Sequence, residues 1–288
     1  MWNKTSKQRR VTALLLTTLV CSTGFSGCDK REDAAAAADP IAAVQTEKLI
    51  TVGTIQCDAF AKELTVVDAN PADLEQILPL LPQLEKLILE GTLPETEQLL
   101  KLHNSFPQIA LVMQTELGGT PVSTGTELLD LSGTAIDPDT LRTQLALFSN
   151  LRELNLMETA LSDEEKMMLC DSLPGVLVRC ELPLAGQYFL SDSTEIDLTG
   201  CPVTVAEAEK MLPYFPLLKK LDMSDCGIPD EEMEALNLRH PEVSIVWTLK
   251  IGEVRTRTDA VYFYPAESNY YPTNAEMTKL RYCHDLVA

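Results

Sequence analysis

The sequence predicts an α/β solenoid in which a curved parallel sheet carries helices on its convex side, built from three 67-residue super-repeats. Three observations carry this expectation. Leu84, Leu151 and Leu218 recur at a constant spacing of 67, as do Pro107, Pro174 and Pro241. The segments opening on those leucines, 84–89, 151–156 and 218–223, share the pattern L-x-x-L-x-L, with Met223 at the last station. The same pattern without its first leucine precedes the later copies, as Leu129, Leu131, Thr134 and Ile136 in one repeat and Ile196, Leu198, Cys201 and Val203 in the next. Register of this kind means one structural unit copied along the chain.

The strands come first. In L-x-L a short strand turns alternate side chains inward, so the two leucines supply the buried face. Extended, Leu151 to Leu161 reads L-x-x-L-x-L-x-x-T-x-L and Leu218 to Ile228 reads L-x-x-L-x-M-x-x-C-x-I. This resembles the leucine-rich repeat, with Thr159 and Cys226 at the usual Asn/Cys position. A residue there turns the chain while its side chain bonds backbone groups that would otherwise be unpaired. A weaker line of apolar pairs follows each Pro anchor: Ile109 and Leu111, Val176 and Val178, Val243 and Ile245. Each repeat therefore reads as three coils. A single L-x-x-L-x-L would suit an amphipathic helix equally well, but repeated copies in register favour the coil.

Helices follow the turns. Ile136-Asp-Pro-Asp starts one, with acid and proline at its N-terminus, and Leu161-Ser-Asp-Glu-Glu starts the next, with a Ser cap and Glu three positions on. Val203-Thr-Val-Ala-Glu and Ile228-Pro-Asp-Glu-Glu repeat these starts one unit later. In the first repeat Leu93 and Pro94 displace the apolar residue after Thr92, so an irregular turn is expected there.

The N-terminus carries a different signal. Lys4, Lys7, Arg9 and Arg10 precede an apolar stretch from Val11 to Val20, too short for a stable membrane span. The stretch closes on Phe25-Ser26-Gly27-Cys28, which resembles the lipobox of bacterial lipoproteins. The resemblance implies cleavage after residue 27 and lipid attachment at Cys28, although Phe25 replaces the more usual Leu. Residues 28–45, alanine-rich and aperiodic, read as a tether, and residues 46–288 as the repeat domain. Beyond residue 40 no apolar run is long enough to span a bilayer.

Composition limits the partners. The 288 residues carry a net charge of −20, and residues 1–27 hold four basic residues and no acids, so the rest is more acidic still. Nucleic acid is thereby excluded as an expected partner, since phosphate binding needs a basic face. The polar positions around the L-x-L strands would line the concave sheet that such solenoids use for binding. The candidates are Glu85, Glu90, Asp130, Arg152, Glu153, Asn155, Glu158, Glu195, Asp197, Lys220, Asp222 and Asp225. They read either as an ordinary solvated face or as a shallow acidic groove for a basic peptide or protein.

No cofactor or metal is expected. The cysteines show no C-x-x-C pair, the histidines are scattered, and no D-x-D-x-D-G calcium loop occurs. Cys201 and Cys226 share the turn station of successive coils and could be two buried thiols or a disulfide, and Cys170 and Cys180 could also pair. Catalytic residues are not expected either: G-x-S-x-G, H-E-x-x-H and phosphate-loop motifs are missing. The acid pairs Glu164-Glu165 and Glu231-Glu232 fall in first helical turns, where negative charge favours the macrodipole.

Five of the seven tyrosines lie from Tyr262 onward, on a segment that opens a fourth unit at Thr258-Asp-Ala-Val. They could pack an altered coil or stack on sugars. The chain stops on the threshold of the next strand with no capping repeat, which suggests a longer protein. The expectation is thus a lipid-anchored, extracytoplasmic leucine-rich repeat protein of a bacterial surface, acting as a protein- or peptide-binding or adhesion module without catalysis of its own. The alternatives are a ligand-binding lipoprotein of a transporter, or the targeting module of an enzyme whose catalytic domain lies past residue 288.

Overall fold

The structure, a computed structural model, describes residues 48–264 and 270–287. The expected signal peptide at 1–27, the lipid-attachment residue Cys28 and the tether at 28–45 lie outside the described residues. Among the described residues the chain is mixed α/β, with seven α-helices and short strands in small parallel and antiparallel sheets, none closed into a barrel. It divides into two compact units, one built on residues up to 115 with 123–125 and 146–149, the other on 116–122, 126–145 and from 150 onward.

The first unit begins with a hairpin of β1 (Leu49–Val52) and β2 (Ile55–Asp58). A strand–helix–strand–helix–strand run follows: β3 (Glu63–Val67), α1 (Pro71–Ile77), β4 (Lys86–Glu90), α2 (Thr96–Ser105) and β5 (Ala110–Val112). The three strands form a parallel sheet in which Leu64, Leu87 and Leu111 stand side by side, all buried. Leu74, Ile77, Leu99 and Leu102 of the two helices close over them. Burying a leucine contributes about 1.5–3 kcal/mol, so this row stabilises the sheet. The irregular turn expected at Leu93-Pro94 is absorbed locally: Leu93 packs on the core, and α2 starts at Thr96, the same station as Asp163 one repeat later.

A hairpin of β6 (Gln114–Leu117) and β7 (Thr120–Ser123) carries the chain from the first unit into the second. The second unit repeats the plan twice. Its first sheet comprises β8 (Leu128–Asp130), β9 (Glu153–Asn155) and β10 (Leu177–Arg179), with α3 (Pro138–Leu145) and α4 (Asp163–Ser172) between them. After the hairpin of β11 (Glu181–Leu184) and β12 (Gln187–Leu190), the next sheet comprises β13 (Glu195–Asp197), β14 (Lys220–Asp222) and β15 (Ser244–Val246), with α5 (Val205–Met211) and α6 (Asp230–Arg239). The buried rows recur in register as Leu129, Leu154, Val178 and as Ile196, Leu221, Ile245. A last hairpin, β16 (Thr248–Ile251) with β17 (Val254–Arg257), precedes the short α7 (Asn274–Met277).

Helix starts follow the sequence signals. Asp137 Oδ2 accepts from Thr140 N at 2.8 Å, Ser162 and Glu165 complete a capping box, and Thr204 accepts from Glu207 N. Pro229, at the N-cap of α6, makes no side-chain cap hydrogen bond, so that start rests on Pro229 and the first-turn acids.

In place of the single curved parallel sheet that the sequence predicts, the described parallel strands form three separate three-stranded sheets. Each three-stranded parallel sheet is followed along the chain by an antiparallel hairpin, inside the stretch that reads as the third coil. The cause lies in two-residue turns that need left-handed backbone: Gly118-Gly119 and Ala185-Gly186 both hold positive φ. A buried hydroxyl then seats each hairpin. Thr124 Oγ1 accepts from Met113 N at 3.0 Å and donates to Leu111 O at 2.7 Å. Ser191 Oγ does the same with Cys180 N at 3.0 Å and Val178 O at 2.6 Å, and Thr258 Oγ1 accepts from Trp247 N at 3.1 Å. Thr124, Ser191 and Thr258 keep the same spacing as the leucines, and each satisfies backbone groups that would otherwise be buried unpaired.

Candidate functional site

The polar stations of the L-x-L strands are first of all structural. Asp130, Asn155, Asp197 and Asp222 each occupy the x of L-x-L, and each side chain accepts from the backbone N–H two residues on: Ser132 at 3.0 Å, Met157 at 3.1 Å, Thr199 at 2.9 Å and Ser224 at 3.0 Å. Such Asx turns divert an N–H from the ladder and end the strand. A turn side chain takes the nearby carbonyl: Thr134 Oγ1 donates to Leu131 O at 2.5 Å and Thr159 Oγ1 to Leu156 O at 2.7 Å. Donation from Ser132 N to Asp130, and from the Thr199 hydroxyl and then its N–H to Asp197, holds both carboxyls below the usual carboxylate range.

Glu158 and Asp225 sit in the turns themselves with φ of 59° and 60°, where the parallel stations carry Gly91, Gly133 and Gly200. Their exposure is a result of that backbone, which a side chain adopts at a cost of about 1–2 kcal/mol.

Several of the remaining candidates form ion pairs within their own unit. In the first unit Glu85 Oε1 pairs with Lys62 Nζ at 2.8 Å, while Glu90 ends β4 and accepts at its carbonyl from Asp68 N. In the second unit Arg152 lies 3.6 Å from Glu127, and Glu153 lies 3.5 Å from Arg179, which also holds Asp192 at 2.8 Å. Glu195 stands opposite Lys220 in the β13–β14 register. Lys220 Nζ contacts Asp259 at 2.7 Å, and Arg257 bridges Asp259 at 2.9 Å and Asp222 at 2.6 Å. Arg255 pairs with Asp225. The donation from Arg257 holds the Asp259 carboxyl down at about 2. The face is therefore acidic in composition but ion-paired at Asp222 and Asp225, and Arg179, Arg255, Arg257 and Asp259 are participants that the strand pattern does not announce. Arg255 and Arg257 come from β17, a strand that the repeat pattern does not predict.

Cys201 and Cys226 are thiols rather than a disulfide. Cys226 Sγ donates to Leu198 O at 3.1 Å, the role the turn station predicts, and Cys201 Sγ accepts from Gln187 Nε2 at 3.0 Å. Of the C-terminal tyrosines Tyr282 is buried against Trp247, with ring centroids 6.0 Å apart, while Tyr262, Tyr264 and Tyr271 are exposed. Thr258 N donates to Trp247 O, and Val287 N donates to Val261 O at 3.0 Å, as Lys220 N does to Thr194 O at 3.1 Å. Val261 and Val287 thus pair at the stations that Thr194 and Lys220 hold one repeat earlier. Beside β15 lies a cavity of about 520 Å³, lined by Lys219, Glu242, Ser244, Asp259, His284 and Asp285 among others.

Among the described residues no group of three or more His, Cys, Asp or Glu side chains is placed to hold a metal ion, and no helix is long and apolar enough to cross a membrane. No known protein-family model matches the chain, and no curated protein sequence matches it either.

Proposed function

We propose that this chain is a lipid-anchored, extracytoplasmic leucine-rich repeat solenoid that serves as a binding or adhesion module for a protein or peptide, without catalysis of its own. The observation that supports it best is the coil unit: a buried L-x-L row, an Asx turn, a Thr or Cys on the freed carbonyl, and a capped helix, recurring in register. Repetition of a strand-and-turn unit yields an extended polar face, suited to a macromolecule rather than to a buried substrate. The acidic composition favours a basic partner, steered by long-range charge. The basic n-region, short apolar stretch and Cys28 support a lipid anchor on the outer face of a membrane.

Two experiments test this. In a bacterial host, wild-type protein fed a palmitate analogue takes up label and partitions into detergent, whereas Cys28→Ala does neither; equal labelling of the variant overturns the anchor. On an array of basic, acidic and neutral peptides, binding concentrates on the basic set and weakens as salt rises from 0.05 to 0.5 M, values on the order of those that shrink the screening length severalfold. The cavity beside β15 favours the second reading, a small-molecule receptor for a transporter. A thermal-shift gain with a nutrient and none with any peptide would establish that reading instead.

A further inference from the structure

Helix α4 packs against β10 and β11, and Lys166 Nζ donates to Glu181 O at 3.4 Å, which ties the turn of α4 before Cys170 to the residue after Cys180. Cys170 follows Lys166 by one helical turn on the same face of α4, so this contact sets it beside the strand end that carries Cys180. Cys180 is fixed from both sides: its N–H donates to Ser191 Oγ at 3.0 Å, and its sulfur lies 3.9 Å from Val178 O. It is buried, whereas Cys170 is partly exposed. One repeat earlier the same two stations carry His103 and Met113, and one repeat later Asn237 and Trp247. Cysteine therefore stands at both stations together in the middle repeat and at neither in the others. The other cysteines that share a turn station, Cys201 and Cys226, have their sulfurs on Gln187 and Leu198 O.

We propose that Cys170 and Cys180 form a dithiol/disulfide couple, a modification site whose substrate class is a small-molecule disulfide such as glutathione disulfide. Cys170, the exposed member, attacks as a thiolate; the external S–S bond breaks, one glutathione leaves and takes up the proton that Cys170 released. The sulfur of Cys180 then attacks that of Cys170 in the mixed disulfide, and the second glutathione leaves with the proton from Cys180. Two electrons pass from the protein to the oxidant, and one internal S–S bond replaces two S–H bonds. The link staples α4 to the β10–β11 corner. A hydrogen bond between the two thiols and burial push the Cys170 thiol up, while the same bond and the Lys166 cation favour the Cys180 thiolate against its burial. The entry step is accordingly slow at neutral pH and quickens as pH rises.

The test is peptide mapping of the purified full chain after incubation with glutathione disulfide, acid quench and alkylation under denaturing conditions. A Cys170–Cys180 linked peptide, about 2 Da lighter than its two thiol forms together and lost on reduction, is the expected result. Cys180→Ser should stop at Cys170 carrying one glutathionyl group, and Cys170→Ser should leave Cys180 unmodified. If wild-type Cys170 and Cys180 both remain fully alkylatable, or if Cys170 links elsewhere, the couple is overturned. The wild-type map is decisive, so misfolding of either variant leaves the test intact. Neither result depends on lipid anchoring or peptide binding.

Discussion

The sheet of the first unit and those of the second are laid on the same apolar register but end differently. In the first unit the x of L-x-L is Thr65 or Ile88, and the ladder runs on through Val67 opposite Glu90, giving strands of five residues. In β8, β9, β13 and β14 of the second unit the same station is Asp130, Asn155, Asp197 and Asp222, and each of these strands stops there after three residues. In these four strands a polar side chain competes with the ladder for an N–H where β3 and β4 run on, while the apolar register is unchanged. The second unit also carries Asp192 and Asp259 with their arginines, where the first has Gly125.

The comparison can be broken most forcefully through what the units share. Leu87→Ala in the first and Leu154→Ala in the second should each lower stability by about 2–5 kcal/mol, since both side chains are fully packed in equivalent rows. Urea unfolding followed residue by residue with hydrogen exchange will show whether each loss stays within its unit. Next come the hairpin hydroxyls. Ser191→Ala leaves Cys180 N and Val178 O unpaired and should cost about 1–3 kcal/mol, with Thr124→Val similar in the first unit. The station in the first hairpin is already Ala59, whose N–H pairs with Lys48 O without a hydroxyl.

Smaller effects sharpen the contrast. Replacing Asn155 by Ile, the residue at the matching station of β4, should destabilise by about 1 kcal/mol despite its higher strand preference. A gain in stability would mean that the Asx turn does not end β9. Asp259 titrates only in the second unit. Its carboxyl falls from the ordinary 3.8 to about 2, so its contribution is complete above pH 3.8 and disappears as pH falls through about 2. Asp259→Asn should thus be less stable than wild type near neutral pH and equal to it at the acid end of a denaturation series. Glu158→Gly is the mildest change, a gain of roughly 0.5–1 kcal/mol as relief of the left-handed strain outweighs the added freedom of the unfolded chain. Thermal unfolding of the two proteins side by side measures it.

Much of this is legible in the residues. The 67-residue spacing locates the buried rows, the polar turn stations and three of the helix caps, because burial and capping act over a few neighbouring residues and leave a local pattern. The binding face is legible only as a set of polar positions. Whether Asp222 is free for a partner depends on Arg257, which lies far along the chain and reaches it because β16 and β17 fold back as a hairpin. The hydroxyls of Thr124, Ser191 and Thr258 have the same period as the leucines, yet a lone Thr or Ser carries no amphipathic signal, so the pattern does not reveal them. By itself the sequence determined the repeat, its apolar register and where helices begin. Only the tertiary structure decided that each parallel sheet gives way to a hairpin and which charges are neutralised. Register depends on the period of the side chains, whereas those outcomes depend on long-range hydrogen bonds and ion pairs that no local window contains.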